Sequence, residues 1–245
     1  MGQYYDATSL DKLKSANTFD VGEALAKLNN SDNKYEYSSG QKLMEHSWLE
    51  NHYVKFIMLL LSDGYTYGYN RGNGPWYNNS FGWVGDYADE DGEGPSSDQI
   101  KIALARMENT EKSKDLIDRM SEKAGIGYQE VSELYSVEDI LSILKDNSPL
   151  PQFRYIVNTD KKEIVDLKEL ELHAKGLDAD DVWIIHPLPL LTCVGNGRGG
   201  GDFHGEDDRI GMWYRDHIYT TNDISNLTVG KSGGYYLIDA YFTEE

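Results

Sequence analysis

Residues 42–61, KLMEHSWLENHYVKFIMLLL, constrain this chain more than any other stretch. Leu49, Tyr53, Phe56, Ile57 and Leu60 recur at helical spacing, which predicts one long helix with a single face turned to a core. Asp63-Gly64 ends it, because glycine accepts the left-handed conformation that closes helices. The same stretch holds the longest apolar run, Phe56 to Leu61, six residues in all. A membrane-crossing helix needs roughly 20. The segment therefore reads as core, and no membrane partner is expected.

Short β-rich runs surround it. Residues 3–7 and 81–87 (FGWVGDY) read as strands, with a brief helix at 21–28 between them. Residues 153–167, FRYIVNTDKKEIVDL, set two β-rich runs around Asn158-Thr159-Asp160-Lys161, a hairpin pattern. Residues 182–194, VWIIHPLPLLTCV, predict a buried strand that Pro187 and Pro189 break into an edge or extended segment. Residues 210–221 and 234–242 supply two more strands. Between the two β-rich parts the period changes. Apolar residues fall at 116, 117, 120 and 124, then at 128, 131, 134 and 135. A Ser136 cap follows, before 137, 140, 141 and 144. This predicts three or four short helices leaving through Asn147 to Pro151. The sum is an α+β protein, a mostly antiparallel sheet packed on one long helix with an α-helical insertion. Residues 1–97 and 151–245 would form the core, and 98–150 the insertion.

Charge narrows the partners. Forty-two acidic residues against 23 basic ones leave a formal charge of −19. Such a chain is repelled by nucleic acid and by anionic membranes, so direct nucleic-acid binding is not expected. The helical insertion carries no dense basic face that would reverse this. The acidity fits a cytoplasmic surface, a set of carboxylates around a divalent cation, or an imitation of nucleic acid that occupies a host factor. A single cysteine rules out an internal disulfide framework and fits a reducing compartment. The opening MGQYYD has no basic region followed by an apolar run, so no targeting signal is expected.

Residues 192–208, TCVGNGRGGGDFHGEDD, are the chain's most distinctive chemistry. Gly195, Gly197 and Gly200 satisfy G-x-G-x-x-G after a strand. That fingerprint works by placing a pyrophosphate at the start of a following helix, and here a glycine-broken acidic run follows instead. No Gly-Lys-Ser/Thr is present either. What remains is a loop whose backbone can approach a ligand closely, with Arg198 as its one cation. Arg198 would either clamp a carboxylate or phosphate, or pair with Asp202 and hold the loop's shape. The expected ligand site takes polar contacts from Asn196, Arg198, Asp202 and His204, and apolar walls from Trp83 and Trp213. Trp83 precedes Asp86, and Trp213 precedes Asp216, at the same spacing on strand-like stretches. This hints at two related halves.

Asp86, Asp89 and Asp91, with Gly92 and Gly94 permitting tight curvature, could hold magnesium or calcium. The twelve-residue calcium loop does not fit, since counting from Asp89 puts Ile100 at its last position. An exposed acidic turn accounts for the same residues, and no cofactor is required. Cys193, with His186 upstream and His204 downstream, could form a nucleophilic pair or be a buried structural thiol. One cysteine and no H-E-x-x-H give no usual zinc site.

MGQYY at the start, QKLMEHSW at 41–48, GWVGDYADED at 82–91 and HPLPLLTCVGNGRGGGDF at 186–203 together resemble a family of predicted bacteriophage and bacterial proteins. The resemblance leaves out residues 98–150. It carries no assigned activity and so supplies no catalytic residue, but it implies a phage or prophage setting in an infected cell. The expected function is non-enzymatic binding, of a host protein or a small nucleotide-like ligand, through the glycine-rich loop. Two alternatives stay open. One is a metal-dependent hydrolase of nucleotides or phosphoesters, with Asp86, Asp89, Asp91 and Asp202 around the ion. The other is a structural or assembly protein.

Overall fold

The 155–166 hairpin forms as its pattern predicts. Strands β5 (Tyr155–Asn158) and β6 (Glu163–Asp166) pair antiparallel, Tyr155 opposite Asp166 and Asn158 opposite Glu163. This hairpin belongs to a mixed sheet in a computed structural model that describes residues 4–64, 72–85, 133–175, 184–194, 201–205 and 207–242. The other strands are β1 (Tyr5–Ser9), β2 (Lys14–Ala16), β3 (Asn79–Gly85), β4 (Glu133–Leu134), β7 (Cys193–Val194), β8 (His217–Thr221) and β9 (Tyr236–Leu237). Their order is β4-β2-β1-β3-β8-β5-β6-β9, with β7 also on β3. Pairings β1–β2, β1–β3, β3–β8, β5–β6 and β5–β8 are antiparallel; β2–β4, β3–β7 and β6–β9 are parallel. The fold is α+β with a mostly antiparallel sheet. Strand β3 is its hub: one edge takes β1, and the other takes β8 at Asn79–Ser80 and β7 at Trp83–Val84.

The long helix predicted over 42–61 is two helices, α2 (Leu43–His46) and α3 (His52–Leu60), which follow α1 (Thr18–Leu28) in the chain. Side chains break it. Ser47 Oγ donates to the Leu43 carbonyl at 2.6 Å, and Asn51 Oδ1 caps α3 by accepting from the Tyr53 and Val54 amides at 2.9 and 3.3 Å. The residues between leave the helix to pair with a distant segment. Trp48 bridges to Ile185, and the His186 amide donates to the Ser47 carbonyl at 2.9 Å. Helix α3 buries Tyr53, Phe56, Ile57 and Leu60 of the predicted stripe, but Val54, Met58 and Leu59 are buried as well, so the helix does not turn a single face to the core, and Leu49 lies outside it, half-buried.

Within 98–150, helix α4 (Val137–Asp146) starts at Ser136, whose hydroxyl accepts from the Asp139 amide at 3.1 Å. Its Ile140 and Leu144 join the main core. Residues 133–134, expected to be helical, form β4 instead, paired parallel with β2. The rest of the predicted insertion lies outside the described residues.

The 182–194 stretch is also corrected. Residues 187–192 form helix α6 (Pro187–Thr192), not a strand; helix α5 (Leu167–Lys175) precedes it in the chain. His186 caps α6 and Pro187 occupies its first position, where a missing amide costs no helical bond. Pro189 still lies in that first turn, among amides with no intrahelical acceptor. Residues 210–216, read as strand, are turns, and β8 begins only at His217. No helix among the described residues is long and apolar enough to cross a membrane.

Candidate functional site

Four of the stretches singled out in the sequence meet at one corner of β3. The Tyr5 amide donates to the Gln41 carbonyl at 2.9 Å, and Trp83 pairs in register with Cys193. Asp202 Oδ1 accepts from the Met44 amide at 2.8 Å, which fastens the end of the glycine-rich stretch to the first turn of α2. Gly201, at φ +59°, lies so close to the Tyr5 ring that an added Cβ would sit 2.7 Å from Cε2.

His46 is the buried centre of this corner. Its Nε2 accepts from the Trp83 indole N–H at 2.9 Å, so the ring proton is on Nδ1, which donates to the Gly40 carbonyl at 3.1 Å. Tyr53 packs edge-on against both rings, and its hydroxyl ties β1 to β2, accepting from the Ala7 amide and donating to the Ala16 carbonyl. Burial pushes the His46 imidazole down to about 4. A neutral histidine satisfied on both nitrogens holds structure and has no lone pair left for a ligand.

A cleft of about 320 Å³ opens on the other side of α3. Its walls come from segments far apart in sequence: 49–58, 151–154, 167–171, His186 and Asn222. Met58, Phe153, Leu167 and His186 are the buried part of its lining. The mouth is exposed and charged, with Glu50, Gln152 and Lys168. Asn222 fixes one lip, its Oδ1 accepting from the Arg154 amide at 2.8 Å and its Nδ2 donating to the Gln152 carbonyl at 3.0 Å. Arg154 makes a two-armed bond to Asp166, and Asp166 also accepts from the Lys168 amide at 3.0 Å.

Ionisable groups on the cleft wall are Lys55, Arg154 and Lys168 against Glu50 and Glu171. With Asp166, which Arg154 engages, that is three cations to three carboxylates, a balanced patch on a chain whose total charge is −19. Lys55 pairs with Glu50, while the Lys168 ammonium has no ion pair among the described residues. His186 is 1% exposed. Its Nδ1 accepts from the Leu188 amide at 3.2 Å, so its proton is on Nε2, which points at the Met58 sulfur 3.2 Å away. Burial, helped by the Lys55 charge, pushes His186 down to about 3.

No family model matches this chain, and no curated protein or solved structure does.

The expected ligand residues are distributed unevenly. Trp83 and Trp213 are both fully buried. Trp213 sits in a turn, with its indole N–H donating to Glu163 Oε2 at 2.6 Å. Both rings serve the core and neither offers an open wall, a correction that burial imposes. Asp202 is half-buried and engaged with Met44; His204 is exposed. Asn196 and Arg198 lie outside the described residues, as do Asp86, Asp89 and Asp91. Among the described residues no three His, Cys, Asp or Glu side chains come together as a metal-binding group. Cys193 is buried, its thiol donating to the Leu190 carbonyl at 3.2 Å and pushed up to about 12. His186 stands at the opposite end of α6, so the two form no nucleophilic pair.

Sequence reasoning passed over Lys55, Arg154, Lys168 and His186 as a group. One signal was available for His186. A polar residue directly before a proline that opens an apolar run is a helix-capping pattern.

Proposed function

We propose that the protein binds a small anionic ligand, nucleotide-like in size, in the cleft between α3, α5 and the 151–154 segment. One observation carries this reading: on a strongly acidic chain, the exposed Lys168 ammonium lines the cleft and has no ion pair among the described residues, while the other two cations there are held by Glu50 and Asp166. A pocket of about 320 Å³ is at the small end of ligand sites, which run from about 300 to 1,000 Å³. An apolar interior with a few polar groups at defined places is what such sites share. The acidic remainder of the surface discourages polyanions, which meet far more of it than a small molecule does. The resemblance to phage proteins supports a setting in the cytoplasm of an infected cell, where the protein would act by sequestration. Helix α6 joins the cleft to the glycine-rich stretch, because His186 begins it and β7 follows it.

The test is calorimetric titration with nucleoside monophosphates, on the wild type and on Lys168→Glu. Binding is expected, and reversing the charge should weaken it about tenfold or more. The absence of binding by every monophosphate, or equal binding by the variant, would overturn the proposal.

A further inference from the structure

The inner end of the cleft carries a hydrogen-bond donor that the protein itself uses poorly. His186 Nδ1 is committed to the Leu188 amide, which fixes the proton on Nε2. That N–H faces only a thioether sulfur, Met58 Sδ at 3.2 Å, a weak acceptor. The ring is 1% exposed, yet both it and Met58 line the cleft. Buried donors ordinarily find oxygen or nitrogen acceptors. Phe153 and Leu167, both buried, line the same cleft, whereas the Lys168 side chain on its wall is exposed. The lining thus divides into a buried part, apolar beside a neutral donor, and an exposed part that carries the Lys168 ammonium.

We infer that the cleft takes its ligand ring-first: a heterocyclic base enters between Met58, Phe153 and Leu167, a ring nitrogen or carbonyl oxygen accepts from His186 Nε2–H, and the phosphate stays at Lys55 and Lys168. This rests on the cleft reading above and adds the orientation and chemical class of the ligand. The thioether gives up its contact to a stronger acceptor, so nothing buried is left without a partner. His186 stays neutral, and the interaction is one of a neutral donor with a neutral acceptor. The donor requires no anion at that depth, where the one nearby cation, Lys55, is already held by Glu50.

The experiment compares AMP, UMP and ribose 5-phosphate on the full chain and on His186→Asn. Asparagine keeps an acceptor for the Leu188 amide and removes the Nε2 donor. AMP and UMP should bind about tenfold or more tighter than ribose 5-phosphate, and His186→Asn should remove that advantage without changing ribose 5-phosphate binding. Ribose 5-phosphate binding as tightly as AMP, with both weakened by Lys168→Glu, would overturn the ring-first orientation while leaving the cleft reading intact. Binding of none of the three would overturn both. Should His186→Asn fail to fold, the imidazole nitrogen spectrum of the wild type decides. The His186 Nε2–H resonance must shift on saturation with AMP and stay in place with ribose 5-phosphate; an unmoved resonance with AMP overturns the inference.

Discussion

Asp202 and Met44, 158 positions apart, are joined by a 2.8 Å hydrogen bond from the Met44 amide to the Asp202 carboxylate. Met44 is the second residue of α2, so its amide has no acceptor within the helix. Glu45 already bends back to the Lys42 amide, and Lys42 offers no side-chain acceptor. The aspartate of the glycine-rich stretch therefore acts as a cap supplied from elsewhere in the chain. Asp202→Ala should lower stability by about 1–2 kcal/mol, and Asp202→Asn, which keeps an acceptor, by clearly less. Urea denaturation checks this, and equal midpoints for wild type and Asp202→Ala would show that the bond contributes nothing.

Two buried neutral histidines make stability depend on pH in a defined direction. His46 is pushed down to about 4 and His186 to about 3, from the ordinary 6.5. Below 6.5 the unfolded chain takes up protons at these sites and the folded chain does not. Stability is thus full above 6.5 and falls with pH until each folded value is reached. Each histidine contributes a slope of about 1.4 kcal/mol per pH unit in that window. Denaturation midpoints measured between about pH 7 and about pH 5 should show the fall. His46→Asn should reduce the slope by about half, whatever it does to stability at neutral pH. A slope unchanged in that variant would contradict the assignment of His46 as neutral.

How much of this was legible beforehand depended on whether the deciding partner was local. The 155–166 hairpin and the Ser136 cap are short-range patterns, and both formed where the residues predict. The long helix over 42–61 failed because Ser47 and Asn51 act on their own backbone while Trp48 pairs with Ile185, a partner invisible to any window. Residues 187–192 are helical against their pattern for a different reason. Two prolines argue against a helix interior, yet both stand in the first turn, where they cost little. Trp83 and Trp213 illustrate the limit for the site. Nothing in a sequence separates an indole that lines a pocket from one whose N–H is satisfied inside the core. The cleft is not legible in the sequence because its wall is assembled from separate segments, each ordinary alone. It became visible only when Lys55, Arg154 and Lys168 were brought beside His186.

Gly201 explains in part why the glycine-rich stretch meets the N-terminal strand so closely. Its φ of +59° and the 2.7 Å approach of Tyr5 Cε2 to an ideal Cβ both oppose any side chain. Tyr5 is fully buried, so its ring cannot swing aside freely. Gly201→Ala should cost about 2–4 kcal/mol, combining overpacking with left-handed backbone strain. A double-mutant cycle with Tyr5→Ala separates the two. The Gly201→Ala penalty should shrink by about 1 kcal/mol or more when the ring is absent. Strictly additive penalties would place the whole cost in the backbone.

Cys193 offers a probe of how often this corner opens. Its thiol is buried, donates to the Leu190 carbonyl, and is pushed up to about 12, so almost no thiolate exists near neutral pH. The residue also pairs with Trp83 across β3 and β7, which shields it from reagents unless that pairing parts. A disulfide-forming thiol reagent should therefore leave the native protein unlabelled and modify it stoichiometrically in denaturant. At intermediate denaturant the labelling rate should report opening of β7 from β3. Asp202→Ala releases the neighbouring stretch from α2 and should raise that rate about tenfold, the equivalent of about 1.4 kcal/mol. Rapid labelling of the wild type without denaturant would show that β7 does not hold its place on β3.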